Sequence, residues 1–441
     1  MPAGGTWTVQ NKVRPGAYIN FVSVPRAIGT LGNRGTVAVG MPMTWGPQGA
    51  LIHLTGEDLL NGASLAKVGV LITDTEESLP YRVALAGCFN ALLFRTDVGG
   101  TKATATIAEG TLSVSAKYAG TTGNKITVVS LKDKPAVGSF TIQVLVNRVL
   151  RESFVVSSIT ELEDIESAFV DFEVLTEDAD IPETAGTSLV GGTNGEVNKE
   201  QYTTFWNLLD TKNFQCLAMY GTDVTVAPLI KSRVELWREK RGKKVQAVVY
   251  NYVEANYEGI ISVDQGFKTS TETVDTGLFP VWVASMTAGA QVNQSLTAAV
   301  VEDSVEIINP VMEDQIEDAL ATGRFLLSYR QDGVVCVEKD INTLHTFTVD
   351  KNYAFSKNRA VLAAGNFGSS LWALAEMEDD FGFLPYPKYD EEQTERMYTI
   401  RSMKKHLEDN GFEYIGAFSD YDFTGATDLD ERIYIIAKCK K

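Results

Sequence analysis

The feature that most constrains the fold is a change of hydrophobic period near residue 99. From there to about residue 190 the chain alternates Thr, Ser and Val with apolar residues at period two, in short runs separated by Gly-containing turns. Such runs predict the strands of a small all-β domain. The strands are predicted at 111–118, 125–130, 139–146 and 150–156.

Strand-like and helix-like runs alternate on both sides of this segment. Helices of about ten to fifteen residues between apolar strands are typical of a layered α/β domain. The all-β segment is therefore predicted to be inserted into an α/β domain, and the fold class is α/β (α+β) and multidomain. Strands are predicted at 36–41, 91–95, 214–220 and 244–251, helices at 202–209, 227–241 and 288–299, and a hairpin at 325–338.

The predicted organisation has five parts. The first sixteen residues are polar and rich in Gly and Pro, and 17–24 reads as a strand, which indicates a flexible arm leading into a strand. A Gly/Thr/Asn linker at 186–195 marks the return to the α/β pattern. The parts are an arm (1–20), the first α/β part (21–98), the inserted β domain (99–190), the second α/β part (191–322) and a C-terminal domain (323–441).

Charge is distributed unevenly along the chain. The net charge of −18 argues against a general affinity for nucleic acid or anionic membrane. Residues 1–56 nevertheless contain no acidic residue, whereas 151–183 hold eleven acids and one base. Within the acidic run at 160–170, Leu162, Ile165 and Phe169 have helical spacing, which predicts a helix with a solvated charged face.

No coherent set of catalytic or ligand-binding residues stands out. Cys88, Cys216, Cys336 and Cys439 lie far apart in mostly apolar stretches, which predicts core thiols rather than metal ligands. The three histidines show no metal-ligand spacing, and the Gly-rich loop at 191–195 lacks the lysine of a phosphate-binding loop. The basic stretch at 231–244 reads mainly as a solvated helix face, with a docking surface for an acidic partner as the alternative. We predict no enzyme activity, no cofactor and no metal.

The targeting signals expected of secreted or membrane proteins are not found either. The first residues lack a basic region followed by an apolar one, and no window approaches eighteen apolar residues. Folding in a reducing cytoplasm without membrane insertion is the prediction.

Several blocks, in order, resemble the contractile tail sheath proteins of phages and phage-derived particles, especially those of Gram-positive hosts. The resemblance spans about residues 10–360. The blocks are RPGAYINF at 14–21, WGP at 45–47, residues 112–124, REKRGKKVQA at 238–247, NYEGIISV at 256–263, AGAQVNQSLT at 288–297, DINTLHTFT at 340–348 and FSKNR at 355–359.

The resemblance implies a structural subunit rather than an enzyme. Sheath subunits assemble as stacked, usually six-fold rings around an inner tail tube, rearrange on contraction, and join neighbours by arms that add strands to an adjacent subunit. The implied partners are other copies of this chain, the tube protein, and baseplate and tail terminator proteins, without direct nucleic-acid contact. The implied location is a virion tail or tail-like particle assembled in the bacterial cytoplasm. The arm residues expected to pair between subunits are Val13, Tyr18, Ile19 and Phe21.

The chain departs from the sheath pattern after about residue 360. Residues 363–389 resemble a fragment of bacterial extracellular solute-binding proteins, and 397–441 resemble the closing helix and antiparallel strand pair of class I methyltransferases. Neither fragment includes the ligand-binding core of its family. An S-adenosylmethionine-dependent α/β transferase is the alternative function, and an adhesion or binding module using the acidic β domain is a third.

Overall fold

The computed structural model describes residues 35–107, 110–132, 139–176, 179–181, 183–291, 294–348, 353–358, 404, 412–419, 424–425 and 433–439. These residues belong to two units, Met1–Pro387 and Lys388–Lys441.

Helices and strands alternate through most of the first unit. The helices are α1 (Gly56–Asn61), α2 (Ser64–Val68), α3 (Thr75–Ala84), α4 (Glu200–Leu209), α5 (Ala227–Glu235), α6 (Phe279–Gly289) and α7 (Ile316–Ala321). The strands up to residue 197 are β1 (Thr36–Met41), β2 (Leu51–Thr55), β3 (Asn90–Arg95), β4 (Asp97–Val98), β5 (Thr104–Ile107), β6 (Leu112–Ala116), β7 (Ile126–Lys132), β8 (Phe140–Val146), β9 (Val149–Val156), β10 (Val170–Val174), β11 (Thr184–Ser188) and β12 (Glu196–Val197). The later strands are β13 (Cys216–Met219), β14 (Gln246–Tyr250), β15 (Ile260–Val263), β16 (Gly266–Thr269), β17 (Thr273–Val274), β18 (Ser304–Ile308), β19 (Leu327–Tyr329), β20 (Val335–Val337), β21 (Phe412–Ser419), β22 (Thr424–Gly425) and β23 (Ile433–Cys439).

The central feature of the first unit is a six-stranded sheet with the order β15-β14-β13-β1-β3-β2. Five of its strands are parallel, and β2 pairs antiparallel with β3 at one edge. Parallel strands buried on both faces read as continuous apolar runs, and β1 and β13 have that character. The sheet therefore needs a helical layer on each side.

Successive residues of β1 point alternately into the two cores on either side of the sheet. Val37 and Val39 belong to a core that includes residues of α3 and α6. Ala38, which points to the opposite face, belongs to a second core with residues of α4 and α5. Helices thus cover both faces, which confirms the predicted layered α/β fold class.

The segment between β3 and β13 forms two further sheets. One has the order β10-β6-β5 and the other β11-β7-β8-β9, and all their pairings are antiparallel. Inward residues of both sheets, such as Val114 and Val144, share a third core. The short pair of β4 with β12 joins the two ends of this excursion beside the main sheet. The region is called the β domain below.

The remaining pairings are small. β16 pairs with β17 and β18, and β19 with β20. In the second unit, β21 pairs antiparallel with β22 and β23, which confirms the strand pair predicted near 411–418 and 431–437. The helix predicted at 398–410 lies outside the described residues except for residue 404.

Most of the other predicted elements of the first unit are confirmed within one to three residues at each end. The helix predicted at 227–241 is α5, continued to Lys240 by a π turn in which Arg241 N donates to Leu236 O at 3.2 Å. Cys88, Cys216 and Cys336 are buried free thiols, as predicted. The side chain of Cys439 lies outside the described residues.

The helix predicted at 160–170 is wrong. Only Ile159–Asp164 forms a short 3₁₀ helix, and the chain then extends into β10. The hydroxyl of Ser167 accepts hydrogen bonds from the backbone N–H of Phe169 and Val170, both at 3.1 Å. These two N–H groups are therefore bonded within a turn and do not donate to the carbonyls of a helix. Leu162 and Phe169 are nevertheless buried. The spacing of the apolar residues indicated which side chains are buried, but it did not determine the backbone conformation.

The small-residue helix predicted at 288–299 is also wrong. The helix in this region is α6, which ends at Gly289, and the chain beyond it runs beside β20, where Ala298 N donates to Val337 O at 2.8 Å. Nine of the eleven residues of α6 are buried, so its sequence shows no polar stripe that would mark it as a surface helix. The apolar periodicity therefore predicted the helix at 288–299, C-terminal to its actual position.

Candidate assembly surfaces

The four residues predicted to form an inter-subunit arm are not placed by the structure. Val13, Tyr18, Ile19 and Phe21 lie before Gly35, outside the described residues, as does the strand predicted at 17–24.

The β15 edge of the main sheet is covered by later parts of the same chain. Phe325 N donates to Ser262 O at 3.0 Å, and Thr343 N donates to Ile260 O at 2.8 Å. These bonds use outward carbonyls that an added strand would need. This edge of the sheet is therefore not free for strand addition.

The opposite edge, β2, is blocked by charged side chains. Thr55 N donates to Asp58 Oδ2 at 2.8 Å, and Lys67 Nζ donates to His53 O at 3.0 Å. Lys67 also pairs with Asp58 at 2.8 Å, which fixes both side chains against the strand. Charged groups on an edge strand hinder pairing with another chain, because the newcomer would have to displace them.

The β domain is fastened to the main sheet by a buried ion pair at the end of β3. Arg95 donates from Nε and Nη2 to the carboxylate of Asp97, with distances of 2.7–3.1 Å, and the two side chains are 0% and 1% exposed. Arg95 Nη1 also donates to Gly46 O at 3.1 Å and to Ala119 O at 2.7 Å. One guanidinium thus joins β3, the loop after β1 and a turn of the β domain.

The loop after β1 continues this attachment with apolar contacts. Trp45 is fully buried in the core of the β domain, and its ring meets that of Tyr118 edge-on at 5.2 Å between centroids. The hydroxyls of Thr44 and Thr122 are hydrogen bonded at 2.9 Å. A tryptophan from the main domain that packs inside the β domain adds buried apolar contact to the polar attachment of Arg95.

The basic stretch at 231–244 is largely occupied within its own domain. The carboxylate of Asp210 accepts from Arg233 at 2.8 Å, from Trp237 Nε1 at 2.6 Å and from Arg241 at 2.5 Å. Burial alone would raise the pKa of Asp210, but the hydrogen bonds of Trp237 and Arg241 and the charges of both arginines hold it below its ordinary value. Arg238 is also buried. The solvated-face interpretation is therefore wrong for Arg233 and Arg238, which are 15% and 5% exposed, whereas Arg241 is 44% exposed.

Lys243 of the same stretch caps the C-terminus of α4. Its ammonium donates to Leu209 O at 2.6 Å and also to Lys212 O, and it lies 4.7 Å from the centroid of the Phe214 ring. A cation at a helix C-terminus satisfies carbonyls that have no partner in the helix. Burial nevertheless lowers the pKa of Lys243 to about 8, and the negative charge of Asp210 acts in the opposite direction.

A buried polar network anchors the end of the described part of the first unit. Asn358 Nδ2 donates to Asp340 Oδ1 at 2.8 Å, and Asn358 Oδ1 accepts from Gln246 Nε2 at 3.0 Å. All three side chains are at most 3% exposed. The last described residues of this unit are therefore held beside β14.

The Gly-rich loop at 191–195 has a structural use. Gly192 N donates to Asn124 Oδ1 at 2.8 Å, and Thr193 N donates to Thr101 O at 3.2 Å. Amides bonded in this way are not available to a phosphate, which supports the linker interpretation. In the described part of the chain, no cluster of His, Cys, Asp and Glu could hold a metal ion, and no helix is long and apolar enough to cross a membrane.

A shallow groove beside β2 was not predicted from the sequence. It has a volume of about 350 Å³ and combines the apolar side chains of β2 and β3 with polar groups from the loop after α4. No local motif marks it, because its walls come from distant segments. Its lining residues are Thr36, Leu51, His53, Leu92, Lys212 and Asn213.

Comparison with known proteins connects these features to one family. Residues 195–343 match the phage tail sheath protein central domain. Over 381 residues the chain is 32% identical to the phage-like element PBSX protein XkdK of Bacillus subtilis strain 168, covering 81% of this chain and 79% of that protein.

Solved structures agree with the sequence match. The sheath tail protein DSY3957 of Desulfitobacterium hafniense is similar with a TM-score of 0.69 and 28% identity, over 96% of this chain and 99% of that one. The sheath tail protein Lin1278 of Listeria innocua gives the same TM-score and identity over 79% and 78% of the two chains.

Proposed function

Since the chain belongs to the phage tail sheath family, we propose that it polymerises as stacked rings around an inner tail tube and contracts to drive that tube through a cell envelope. The observation that carries this proposal is the likeness to the D. hafniense sheath tail protein, which extends over nearly the whole of both chains. The relationship to the B. subtilis protein, at 32% identity over most of both chains, supports it independently.

The attachment of the β domain fits such a role. Contraction moves subunits as rigid bodies past one another while they stay connected. The buried Arg95–Asp97 pair and Trp45 join the β domain to the main sheet, so each subunit would rotate with its β domain in a constant orientation.

The connection between subunits is proposed to come from the arm at residues 1–20 and the strand after it, through Val13, Tyr18, Ile19 and Phe21. Because both edges of the main sheet are closed, an arm from a neighbour would have to pair outside that sheet. The tube, baseplate and tail terminator proteins are the other proposed partners, and the particle would assemble in the bacterial cytoplasm.

Electron microscopy of the purified chain, alone and co-expressed with its tube protein, tests the proposal. Rings, sleeves or tubes are expected. Monodisperse monomers under every buffer and salt condition would contradict it.

Deletion of residues 1–20 tests the arm separately. Because the arm is proposed to pair with a neighbour, the shortened chain should fold with the thermal midpoint of the full chain and fail to form ordered polymers. Ordered polymers from the shortened chain would show that the arm is dispensable.

A further inference from the structure

Gly35 is the residue through which the proposed arm joins the main sheet. Its φ of +126° lies outside the range of an extended strand. The following residue, Thr36, already pairs with Asn90 of β3. Gly35 therefore turns the chain out of the line of β1, and its conformation sets the direction in which the preceding residues leave the sheet.

The side chain of Gln215 holds this turn from the β13 side. Gln215 Oε1 accepts hydrogen bonds from Gly35 N at 3.2 Å and from Thr36 N at 2.9 Å. The backbone N–H of Gln215 also donates to Thr36 O at 3.0 Å. Because its side chain occupies the two amides at the start of β1, Gln215 ends the pairing of β1 with β13 and fixes Gly35 in place.

Phe89 and Asn90 hold Gly35 from the β3 side. Asn90 N donates to Gly35 O at 3.0 Å. A Cβ on Gly35 would lie 3.3 Å from Phe89 N and 3.5 Å from Cδ2 of the Phe89 ring, so the ring lies directly beside the turn. That ring is nevertheless 81% exposed. Most of its apolar surface is therefore uncovered at the point where the chain leaves the sheet.

The segment that begins at this ring is 25–34, which connects the arm and its strand to Gly35 and lies outside the described residues. Its large aliphatic residues are Ile28 and Leu31. Leu31 is four residues from Gly35, so the two Cα atoms lie within about 14 Å even if the chain between them is fully extended. Covalent attachment gives this connecting segment a higher local concentration at the ring than a separate molecule would have. It is therefore the occupant that the geometry favours.

We propose that Gln215 and Phe89 clamp the root of the arm, with Gln215 fixing Gly35 and the Phe89 ring packing against Leu31 and Ile28 of the connecting segment. The packing is driven by removal of the ring and of both aliphatic side chains from water. This inference rests on the proposed sheath function and adds to it the element that sets the direction of the arm.

A clamped root is useful because the arm has to reach one particular neighbour. If the connecting segment were free, the arm would sample many directions, and that freedom would be lost on pairing. A segment held at Gly35 and against Phe89 restricts these directions before a neighbour arrives. The clamp thereby raises the effective concentration of the arm at its acceptor without contacting the acceptor.

Two substitutions of Gln215 test the hydrogen-bonded half of the clamp. Gln215→Met keeps nearly the same shape and removes the acceptor, whereas Gln215→Glu keeps a side-chain oxygen for Gly35 N and Thr36 N. The assembled fraction, measured by sedimentation and electron microscopy, should fall about tenfold in Gln215→Met, the change that corresponds to the loss of one or two hydrogen bonds. It should stay at the wild-type level in Gln215→Glu. Equal assembly of the two variants would overturn the role of Gln215.

A pair of glycine substitutions tests the turn itself. Gly35 and Gly221 share a φ of +126°, but the Cβ position at Gly221 is in open space. Alanine strains the backbone at both positions, so the thermal midpoint should fall in both variants. Only Gly35→Ala should lose ordered polymers, because its Cβ presses on Phe89 and redirects the arm. Assembly of Gly35→Ala at the level of Gly221→Ala would overturn the proposal.

Hydroxyl-radical footprinting of the dilute, unassembled chain tests the Phe89 contact without relying on assembly. Phe347 is the comparator, since it is 45% exposed against 81% for Phe89. Packing of the connecting segment on Phe89 predicts slower oxidation of Phe89 than of Phe347. The double variant Ile28→Ser and Leu31→Ser should reverse this order and leave the oxidation of Phe347 unchanged. Faster oxidation of Phe89 than of Phe347 in the unaltered chain would overturn the proposed packing.

The two kinds of readout separate the clamp from the sheath function. A wild-type chain that never assembles would contradict the sheath function, and footprinting would still decide whether Phe89 is covered. Ordered polymers formed equally by wild type, Gln215→Met and Gly35→Ala would overturn the clamp and leave the sheath function in place.

Discussion

Arg95 and Asp97 form a bidentate ion pair at the end of β3 with both side chains closed to solvent. The same arginine reaches backbone carbonyls on both sides of the junction between the main sheet and the β domain. The connection of the two domains thus depends on a charge that would be costly to leave unpaired.

Replacing this arginine should be strongly destabilising. In Arg95→Met the buried Asp97 carboxylate loses its cation, and the free energy of unfolding should fall by about 3–5 kcal/mol. Urea denaturation would measure the loss. The exposed pair of Lys102 with Asp171 is the control, since Lys102→Met should cost under about 1 kcal/mol. Equal losses in the two variants would show that burial of the Arg95 pair has no energetic consequence.

Gly120 is a second test of the junction. Its φ is +133°, and a Cβ there would overlap the backbone carbonyl of Thr44. Gly221 has a similar φ of +126° with open space around the same position. Gly221→Ala should therefore lower the free energy of unfolding by about 1–3 kcal/mol, through backbone strain alone. Gly120→Ala should lower it by the same strain and by about 1–3 kcal/mol more, because the added methyl group overpacks the junction. Thermal unfolding of both variants checks the difference, which should vanish if the contact with Thr44 relaxes freely.

Acid sensitivity is expected at Asp210. Its pKa is lowered in the folded chain, so its contribution to stability is complete above its ordinary pKa and is lost as the pH falls through the lower folded value. Asp210→Asn should lower the free energy of unfolding by only about 1 kcal/mol at pH 7, because the side chain is partly solvated. Below about pH 4 the difference in unfolding free energy between this variant and wild type should become smaller. Unfolding midpoints measured between pH 7 and pH 3 test this, and a gap that does not change with pH would contradict the lowered pKa.

Lys243 should make the stability of the fold depend on pH in the alkaline range, although here the charged form is the destabilised one. Its folded pKa of about 8 lies below the ordinary 10.5, so the unfolded chain binds the proton more tightly between these values. Stability should accordingly rise with pH from about 8 toward 10.5 through this group. Lys243→Met cannot titrate, and the difference between wild type and this variant isolates the effect from other groups. A difference that is constant from pH 7 to pH 10 would show that the ammonium is fully stabilised by Leu209 O and Lys212 O.

Sequence periodicity located elements better than it identified them. The alternation in 139–146 marked β8, and the same kind of reasoning at 160–170 found the buried side chains of Leu162 and Phe169 but assigned them to a helix. Ser167 decides the conformation there by bonding the following amides, an interaction that periodicity does not report. The apolar α6 was misplaced for a related reason, since a helix buried on all sides carries no periodic signal.

Assembly surfaces were less accessible to sequence reasoning than the fold. The basic stretch at 231–244 looked like a solvated helix face, yet Asp210 and two carbonyls at the C-terminal end of α4 bind three of its seven cations. The groove beside β2 unites Leu51, Leu92 and Lys212, which lie up to 161 positions apart in the chain. Contacts of this range leave no spacing that a linear pattern could show.

The sequence alone determined that an all-β segment interrupts an α/β domain, because side-chain direction repeats every two residues in strands and every 3.6 in helices, and apolar residues record that repeat. Only the tertiary structure decided which sheet edges are closed, how Arg95 fastens the β domain, and that side chains from three distant segments line the β2 groove. These relationships depend on strand order and on side chains brought together from distant positions. Local periodicity contains no information about strand order or about contacts between distant side chains.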